Sequence, residues 1–247
     1  MRRYFFLSAL FLIITRPAYA QFGYGAEIGI GMSSMHFAPQ TAPILYTSAS
    51  SSPIFSGKLG GLIDLPLQTH VYFQAGLSFS RRGAVRSFSY NTNDSNNEFV
   101  HQTLYINYFD LPVNVLFKSG KQGKTRFIAG LGATASYIIG GRNILRDSVM
   151  YAGVSTITND NLKISVGSTV NGFDIGVNVS AGCELPTGLF FRAYYTAGVS
   201  DIGIGTEVDK TRIWGIAAGY FLGKGRNINN EADELIDKSD LIDKTKD

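Results

Sequence analysis

The amino-acid sequence predicts an all-β protein: a transmembrane, antiparallel, up-and-down β-barrel of eight strands. Three observations lead to this prediction. Several segments alternate apolar and polar residues with a period of two, only 17% of the residues are charged, and 13% are aromatic. A soluble domain carries about 25% charged residues, whereas a membrane barrel needs an apolar outward face and a polar inward face.

The first twenty residues have the pattern of a secretory signal peptide. A pair of arginines precedes an apolar run that reaches Ile14, and Ala18-Tyr19-Ala20 is a small-x-small cleavage site. The apolar run is shorter than the roughly 20 residues of a membrane-spanning helix. We therefore expect residues 1–20 to be removed on export.

The charge of the exported chain excludes one class of partner. Removing Arg2, Arg3 and Arg16 with the signal peptide leaves 19 of the 22 basic residues against 19 acidic ones. The chain is then formally neutral and has no basic surplus to attract nucleic acid. The single cysteine, Cys183, cannot form an intramolecular disulfide. A closed ladder of backbone hydrogen bonds is the expected source of stability.

The longest alternation covers residues 173–185. Odd positions are apolar from Phe173 onward, and even positions are small or polar, beginning with Asp174. Thirteen residues exceed a typical soluble strand and suit a tilted strand that crosses a bilayer. Seven other segments show a similar alternation of apolar and polar residues. This gives eight predicted strands: residues 22–32, 55–65, 71–80, 102–117, 126–139, 173–185, 188–199 and 211–222.

The connections between these strands alternate in length. Short turns are predicted at 65–69, 118–124 and 184–187, and long loops at 33–53, 81–98, 140–170 and 200–210. We expect the turns and both termini to be periplasmic, and the solvated, mobile loops to face outward. A hairpin turning at residues 158–161 leaves a ten-stranded barrel as the alternative. Because apolar and polar residues are not separated onto the two faces of this hairpin, we interpret it as an extension of the third long loop.

The composition changes after residue 222. Residues 223–247 hold five basic and seven acidic residues and no aromatic residue. This composition predicts a charged, disordered periplasmic tail, with a docking segment for an envelope protein as the alternative. The predicted organisation is a signal peptide at 1–20, a barrel at 21–222 and a tail at 223–247.

One predicted strand carries a distinctive motif. Residues 105–118 read YINYFDLPVNVLFK, an acid-x-proline strand that ends in lysine, with Asp110 as the acid. It resembles the matching segment of PorT-like outer-membrane β-barrel proteins of Bacteroidota. Segments 174–184 and 192–198 are similar to that family's sixth and seventh strands. The resemblance implies the barrel fold and the outer membrane. A few members serve the type IX secretion system, and most have no assigned role.

The polar face of the predicted barrel collects charges of both signs. Eight strands leave an interior just wide enough for side chains to fill, and buried charges are costly unless they are paired. The alternative is a narrow pore in which Lys58 and Arg192 select ions. We predict a plugged lumen with a charge network of Glu27, Lys58, Asp110, Asp174, Glu184 and Arg192, together with Asp64, Gln74, Asn114, Lys118 and Asn178.

The sequence shows no pattern of an enzyme, metal or cofactor site. His36, His70 and His101 fall at a predicted loop, a turn and a strand mouth, without a nucleophile beside them on one strand. Neither metal-ligand spacing nor a phosphate-binding glycine loop is present. Aromatic residues near the strand ends instead predict girdles at the membrane interfaces: Phe73, Phe117, Phe127, Tyr137, Phe191 and Tyr220.

The function expected from these features is structural. We predict a monomeric, non-enzymatic barrel surrounded by outer-membrane lipid, with an interaction role in the cell envelope such as secretion or adhesion. An envelope protein is the partner expected for residues 223–247. A narrow pore for small solutes or ions is the alternative. A soluble, lipocalin-like barrel is disfavoured because it would place its apolar face inside and its charges outside.

Overall fold

In a computed structural model of the chain, the described residues are 23–37, 46–93, 96–121, 123–151, 154–166, 170–202 and 209–222. The predicted signal peptide and the charged tail lie outside them. Within these ranges no helix has the length and apolar character needed to cross a membrane. The described strands are β1 (Gly23–Phe37), β2 (Tyr46–Pro66), β3 (Val71–Asn93), β4 (Asn96–Lys118), β5 (Arg126–Tyr151), β6 (Val154–Ile164), β7 (Phe173–Glu184), β8 (Leu189–Gly198) and β9 (Asp209–Phe221).

Eight of these strands close into a ring. Each pairs antiparallel with its neighbours in the order β1, β2, β3, β4, β5, β7, β8, β9, and β9 pairs back onto β1. Closure satisfies the backbone groups of every ring strand, which a lipid environment demands. The predicted eight-stranded antiparallel barrel is confirmed.

The ninth strand, β6, stays outside the ring. It pairs only with the second half of β5, from Gly141↔Ile164 to Tyr151↔Val154, and β7 then pairs with the first half of β5. The hairpin therefore extends the third long connection, as predicted, and the ten-stranded alternative is wrong. Its turn lies between Tyr151 and Val154, whereas residues 158–161 lie within β6.

The barrel has two unlike ends. Short turns follow β2, β4 and β7 at one end, called here the turn end, and the long connections lie at the opposite loop end. Gly23 pairs with Asp64 close to the turn after β2, and Phe221 pairs with Gly25. Both termini of the described barrel therefore lie at the turn end.

The strands run further toward the loop end than the sequence predicted. β3 reaches Asn93 and β4 starts at Asn96, so most of the predicted loop at 81–98 is a paired hairpin. The prediction of a loop at 140–170 was likewise wrong for most of its residues. Polar residues such as Ser, Thr and Asn still complete a backbone ladder when a neighbouring strand supplies the partners. We call this part the extension sheet: residues 46–53, 84–93, 96–106, 141–151 and 154–164.

The outward face of the ring is apolar and is bounded by aromatic side chains. Phe127 is 72% exposed and Leu131 is 60% exposed. Ten residues separate Phe127 from Tyr137 on β5, which is about 33 Å along the strand and about 25 Å along the axis of a barrel tilted by roughly 40°. That height equals the apolar band of a membrane barrel.

Two aromatic rows mark the borders of this band. The loop-end row contains Phe79, Phe109, Tyr137 and Phe173, which are cross-strand partners on four neighbouring strands. Its ring centroids lie 6.2 Å apart for Phe79 and Phe109 and 5.1 Å apart for Tyr137 and Phe173. The turn-end row contains Phe117, Phe127, Phe191 and Tyr220. All six aromatic residues predicted for the girdles face outward, although Phe73 is half-buried.

A bulge in β5 separates the barrel from the extension sheet. Ile138 pairs with Tyr108 and Gly140 pairs with Asn107, so Ile139 is an extra residue on β5. Gly140 has a φ of +133°, which side-chain-bearing residues rarely adopt. The extra residue exchanges the inward and outward faces of β5 beyond this point.

Candidate functional site

The lumen holds the greatest concentration of functional groups among the described residues. The period-two alternation of each ring strand turns its apolar residues outward and its polar residues inward. Buried carboxylates, guanidinium groups and ammonium groups therefore come from seven of the eight ring strands and meet inside the barrel. They form two groups, one near each end.

The group nearer the loop end is centred on Arg82. Its Nη2 donates to Asp110 Oδ1 at 2.5 Å, and its Nη1 lies 3.5 Å from Asp174 Oδ2. The guanidinium also lies over the ring of Tyr108, 4.3 Å from the ring centroid. We call this group the loop-end cluster. Its carboxylates accept further hydrogen bonds from Ser80, Ser200 and Thr211.

The second group begins with Glu27, which binds two cations. Lys58 Nζ donates to Glu27 Oε1 at 2.9 Å, and Arg192 donates to Glu27 Oε2 through Nη2 at 2.5 Å and through Nε at 3.0 Å. Arg192 Nη1 also donates to Gln74 Oε1 at 2.7 Å. Charge-assisted bonds of this kind are the strong ones in a buried site.

The same group continues to the turn end without a break. Gln74 donates to Asp64 at 2.7 Å, and Lys118 bridges Asp64 and Glu184 at 2.5 and 2.8 Å. Glu184 also accepts from Arg126 at 2.5 Å. Hydrogen bonds thus join every member of what we call the turn-end chain: Lys58, Glu27, Arg192, Gln74, Asp64, Lys118, Glu184, Arg126 and Tyr72.

The two groups have complementary formal charges. The turn-end chain holds four cations and three carboxylates. The loop-end cluster holds one cation and two carboxylates. Because the surplus of one group offsets the deficit of the other, the two together are neutral. Paired and hydrogen-bonded charges can be buried at an acceptable cost, whereas unpaired ones cannot.

Neutral amides fill the space between the two groups. Thr134 Oγ1 donates to Asn178 Oδ1 at 2.9 Å, and Asn178 donates to Asn114 Oδ1. The cavity that remains beside them has a volume of only about 60 Å³. A water molecule takes about 30 Å³ of liquid volume, so this space holds a few waters at most.

Apolar side chains close the lumen above and below the charges. At the turn end, Phe190 and Phe221 pack with ring centroids 5.0 Å apart, and Lys118 lies over the Phe221 ring at 4.8 Å. The turn-end layer contains Leu62, Tyr72, Leu116, Ile128, Phe190 and Phe221. The loop-end layer contains Met35, Ala84, Leu104, Ile106, Tyr108, Ile138, Ile164, Val170 and Ile202.

The structure places every residue of the predicted charge network on the inward face. Glu27, Lys58, Glu184 and Arg192 belong to the turn-end chain, and Asp110 and Asp174 belong to the loop-end cluster. The two sets are therefore separate, not one network. Of the other predicted lumen residues, Asp64, Gln74 and Lys118 join the turn-end chain, and Asn114 and Asn178 lie between the sets.

Sequence reasoning missed three buried arginines, of which Arg82 and Arg126 belong to the two ion groups and Arg86 lies further along β3. Arg82 was assigned to a loop because the predicted strand stopped at Ser80, and Arg126 was taken only as the start of a strand. Both lie in phase with inward residues, two positions beyond Ser80 and two before Ile128 respectively. Extending the alternation by one step at those strand ends would have found them.

His70 and His101 each have a side-chain contact among the described residues. His70 contacts the Lys118 carbonyl oxygen at 3.0 Å in the turn after β2. His101 Nδ1 lies 2.8 Å from Ser87 Oγ, a contact across two strands that sequence reasoning missed. The cross-strand partner of His101 on its other side is Arg146.

Metal binding has no support in the part of the chain that the structure describes. No group of three or more His, Cys, Asp or Glu side chains is arranged there to hold a metal ion. The inward carboxylates instead bind arginine and lysine side chains.

Comparison with known families decides what kind of barrel this is. Residues 15–203 match the family described as outer membrane protein beta-barrel domain. The chain belongs to this family. It is an outer-membrane β-barrel, and the predicted outer-membrane location is confirmed.

Several solved structures are similar to this outer-membrane β-barrel. Ail, the attachment invasion locus protein of Yersinia pestis, is 12% identical, and the match covers 82% of this chain and 99% of Ail with a TM-score of 0.38. Neisserial surface protein A is 10% identical, and the match covers 80% of this chain and 96% of that protein with a TM-score of 0.36. The outer membrane protease OmpT of Escherichia coli is 12% identical, and the match covers 81% of this chain and 97% of OmpT with a TM-score of 0.34. No curated protein sequence matches the chain.

Proposed function

We propose that this barrel is a non-conducting, non-enzymatic anchor in the outer membrane, with a structural or interaction role in the cell envelope. The plugged lumen carries the proposal. Two apolar layers, and two ion groups that together are neutral, surround a lumen cavity of about 60 Å³. A barrel filled in this way resists ion flow because any hydrated ion must displace paired charges.

The extension sheet supports an interaction role. It carries five strands beyond the loop-end aromatic row, and both faces of β6 are exposed from residue 156 to residue 163. Ile157 and Leu162 are among its exposed apolar side chains. Such a sheet presents backbone and side-chain groups for another protein to bind. Secretion and adhesion are the finer roles that we propose, and the PorT-like resemblance favours secretion.

We further propose that the turn end faces the periplasm. Both described termini lie there. The even number of ring strands and the signal peptide expected at residues 1–20 support this orientation. Residues 223–247 would then extend into the periplasm, where an envelope protein is the proposed partner.

The electrical test of this proposal uses planar bilayers. Wild-type protein is expected to show negligible steady conductance because its lumen is filled. Glu27→Ser combined with Arg192→Ser keeps the net charge and removes bulk from the centre of the plug. Because the apolar layers at both ends remain, this variant is also expected to show little conductance. Large, ion-selective conductance by the wild type would contradict the anchor and favour the narrow pore.

The orientation is tested by cysteine labelling in intact cells. In a Cys183→Ser background, Lys163→Cys in β6 at the loop end is expected to react with a membrane-impermeant maleimide. Lys124→Cys in the turn after β4 is the matched control and is expected to react only after the cells are broken. Both lysines are exposed. The reverse pattern of labelling would mean that the loop end faces the periplasm.

A further inference from the structure

A group of cations lies on the outward face just beyond the loop-end aromatic row. Arg81 follows Phe79 by two residues on β3. On β9, Arg212 lies two residues nearer the loop end than Trp214, an exposed aromatic residue outside that row. Both arginines are exposed. Two residues correspond to about 7 Å along a strand. The two guanidinium groups lie on strands that β1 and β2 separate in the ring.

Two more cations lie side by side between these positions and the end of the extension sheet. Arg142 on β5 and Lys163 on β6 are direct cross-strand partners, and both are exposed. Arg142 also pairs with Tyr105, which shares the outward face of β4 with Phe109. We call Arg81, Arg142, Lys163 and Arg212 the cationic row.

The Arg142 and Lys163 pair is unfavourable by itself. Like charges directly opposite each other in an antiparallel ladder repel. No carboxylate among the residues that the structure describes forms an ion pair with any member of the cationic row. Arg81 has a neutral partner, since its Nε donates to Asn107 Oδ1 at 3.0 Å. Among the described residues, the row is therefore a positive surface without an ion-paired anion.

The height of the row identifies what it faces. Tyr105 lies four residues beyond Phe109, so its partner Arg142 stands about 10 Å above the aromatic row on a strand tilted by about 40°. The headgroup region extends about 5–8 Å beyond each side of the hydrocarbon core. Long basic side chains bend back toward this region and keep their charges at the interface.

We propose that the cationic row binds the phosphate groups of anionic lipids in the leaflet at the loop end. The phosphates would compensate the repulsion between Arg142 and Lys163 and hold the barrel at a fixed depth. Each cation near an anionic membrane surface strengthens binding by about fivefold. The binding would weaken as salt concentration rises, because the charges are exposed.

Vesicles of defined composition test the proposal. The wild type and the double variant Arg142→Gln/Lys163→Gln are reconstituted in phosphatidylcholine with or without phosphatidylglycerol. Bound lipid is counted by native mass spectrometry, and the unfolding midpoint is measured by circular dichroism. The double variant is expected to bind phosphatidylglycerol about 25-fold more weakly. In phosphatidylcholine alone its midpoint should equal or exceed that of the wild type, because the repulsion is gone.

Arg146→Gln is the matched control. Arg146 is exposed on the same face of the same strand, but its partner His101 lies eight residues beyond Phe109. It therefore stands about 20 Å above the aromatic row, out of reach of a phospholipid headgroup. Its substitution is expected to leave phosphatidylglycerol binding unchanged.

Three outcomes would overturn the proposal. The first is unchanged lipid binding by the double variant. The second is an equal loss with Arg146→Gln. The third is a rise of the wild-type unfolding midpoint on adding inorganic phosphate to phosphatidylcholine vesicles that equals the rise on including phosphatidylglycerol. Such a result would show a site for a soluble anion. Should the double variant not fold, Arg212→Gln on β9 gives an independent measurement, with an expected loss of about fivefold.

Discussion

Replacing Arg82 with methionine is expected to lower the free energy of unfolding by about 3–5 kcal/mol, because it leaves two buried carboxylates without their cation. Arg82 is 3% exposed, and it is the only cation in the described residues that forms an ion pair with Asp110 or Asp174. Urea unfolding of the protein in phosphatidylcholine vesicles measures the change.

The neighbouring arginine provides the control for this experiment. Arg81→Met makes the same chemical change one residue away, on the exposed outward face, and is expected to alter stability by no more than about 1 kcal/mol. Adding Asp110→Asn and Asp174→Asn to Arg82→Met should restore most of the lost stability, since no buried charge is then unpaired. Equal losses for Arg81→Met and Arg82→Met would show that the two faces are wrongly assigned.

Introducing an arginine in the centre of the apolar band is expected to have the second-largest effect. Val177 is 45% exposed on the outward face of β7. It lies four residues from Phe173 in the loop-end row and six from Cys183, the cross-strand partner of Phe127 and Phe191 in the turn-end row. Val177→Arg should destabilise the barrel by about 2–4 kcal/mol, because the charge must enter the middle of the bilayer.

Phe173→Arg, on the same strand and face, tests the depth dependence of that cost. At the level of the loop-end row the expected loss is no more than about 1 kcal/mol. Both variants are unfolded in the same vesicles with urea. A similar loss for the two would mean that the hydrocarbon core is not centred near Val177.

Much of the barrel follows from local patterns in the sequence. A strand turns successive side chains to opposite faces, so the alternation at 173–185 is enough to assign Val177 outward and Asp174 inward. The same rule assigns Glu27 and Arg192 to the lumen. Neither assignment depends on knowing which strands are neighbours.

The length of each strand depends less on the local sequence. The prediction ended the third strand at Ser80, and Arg81 interrupts the apolar half of the pattern there. β3 nevertheless continues for another 13 residues, because β4 provides a backbone partner for most of them. A ladder that is sustained by its neighbour leaves little trace in the composition of a single strand.

Sequence alone therefore determined the barrel class, the number of ring strands, and the face of each central residue, because all three depend on a side-chain period of two. The tertiary structure decided which charges meet. Arg192 binds Glu27 across 165 positions of chain, and the registers of several strand pairs set that contact. It also decided that Arg142 faces outward: in the phase of the first half of β5 it would point inward, and the extra residue at the Gly140 bulge reverses that phase.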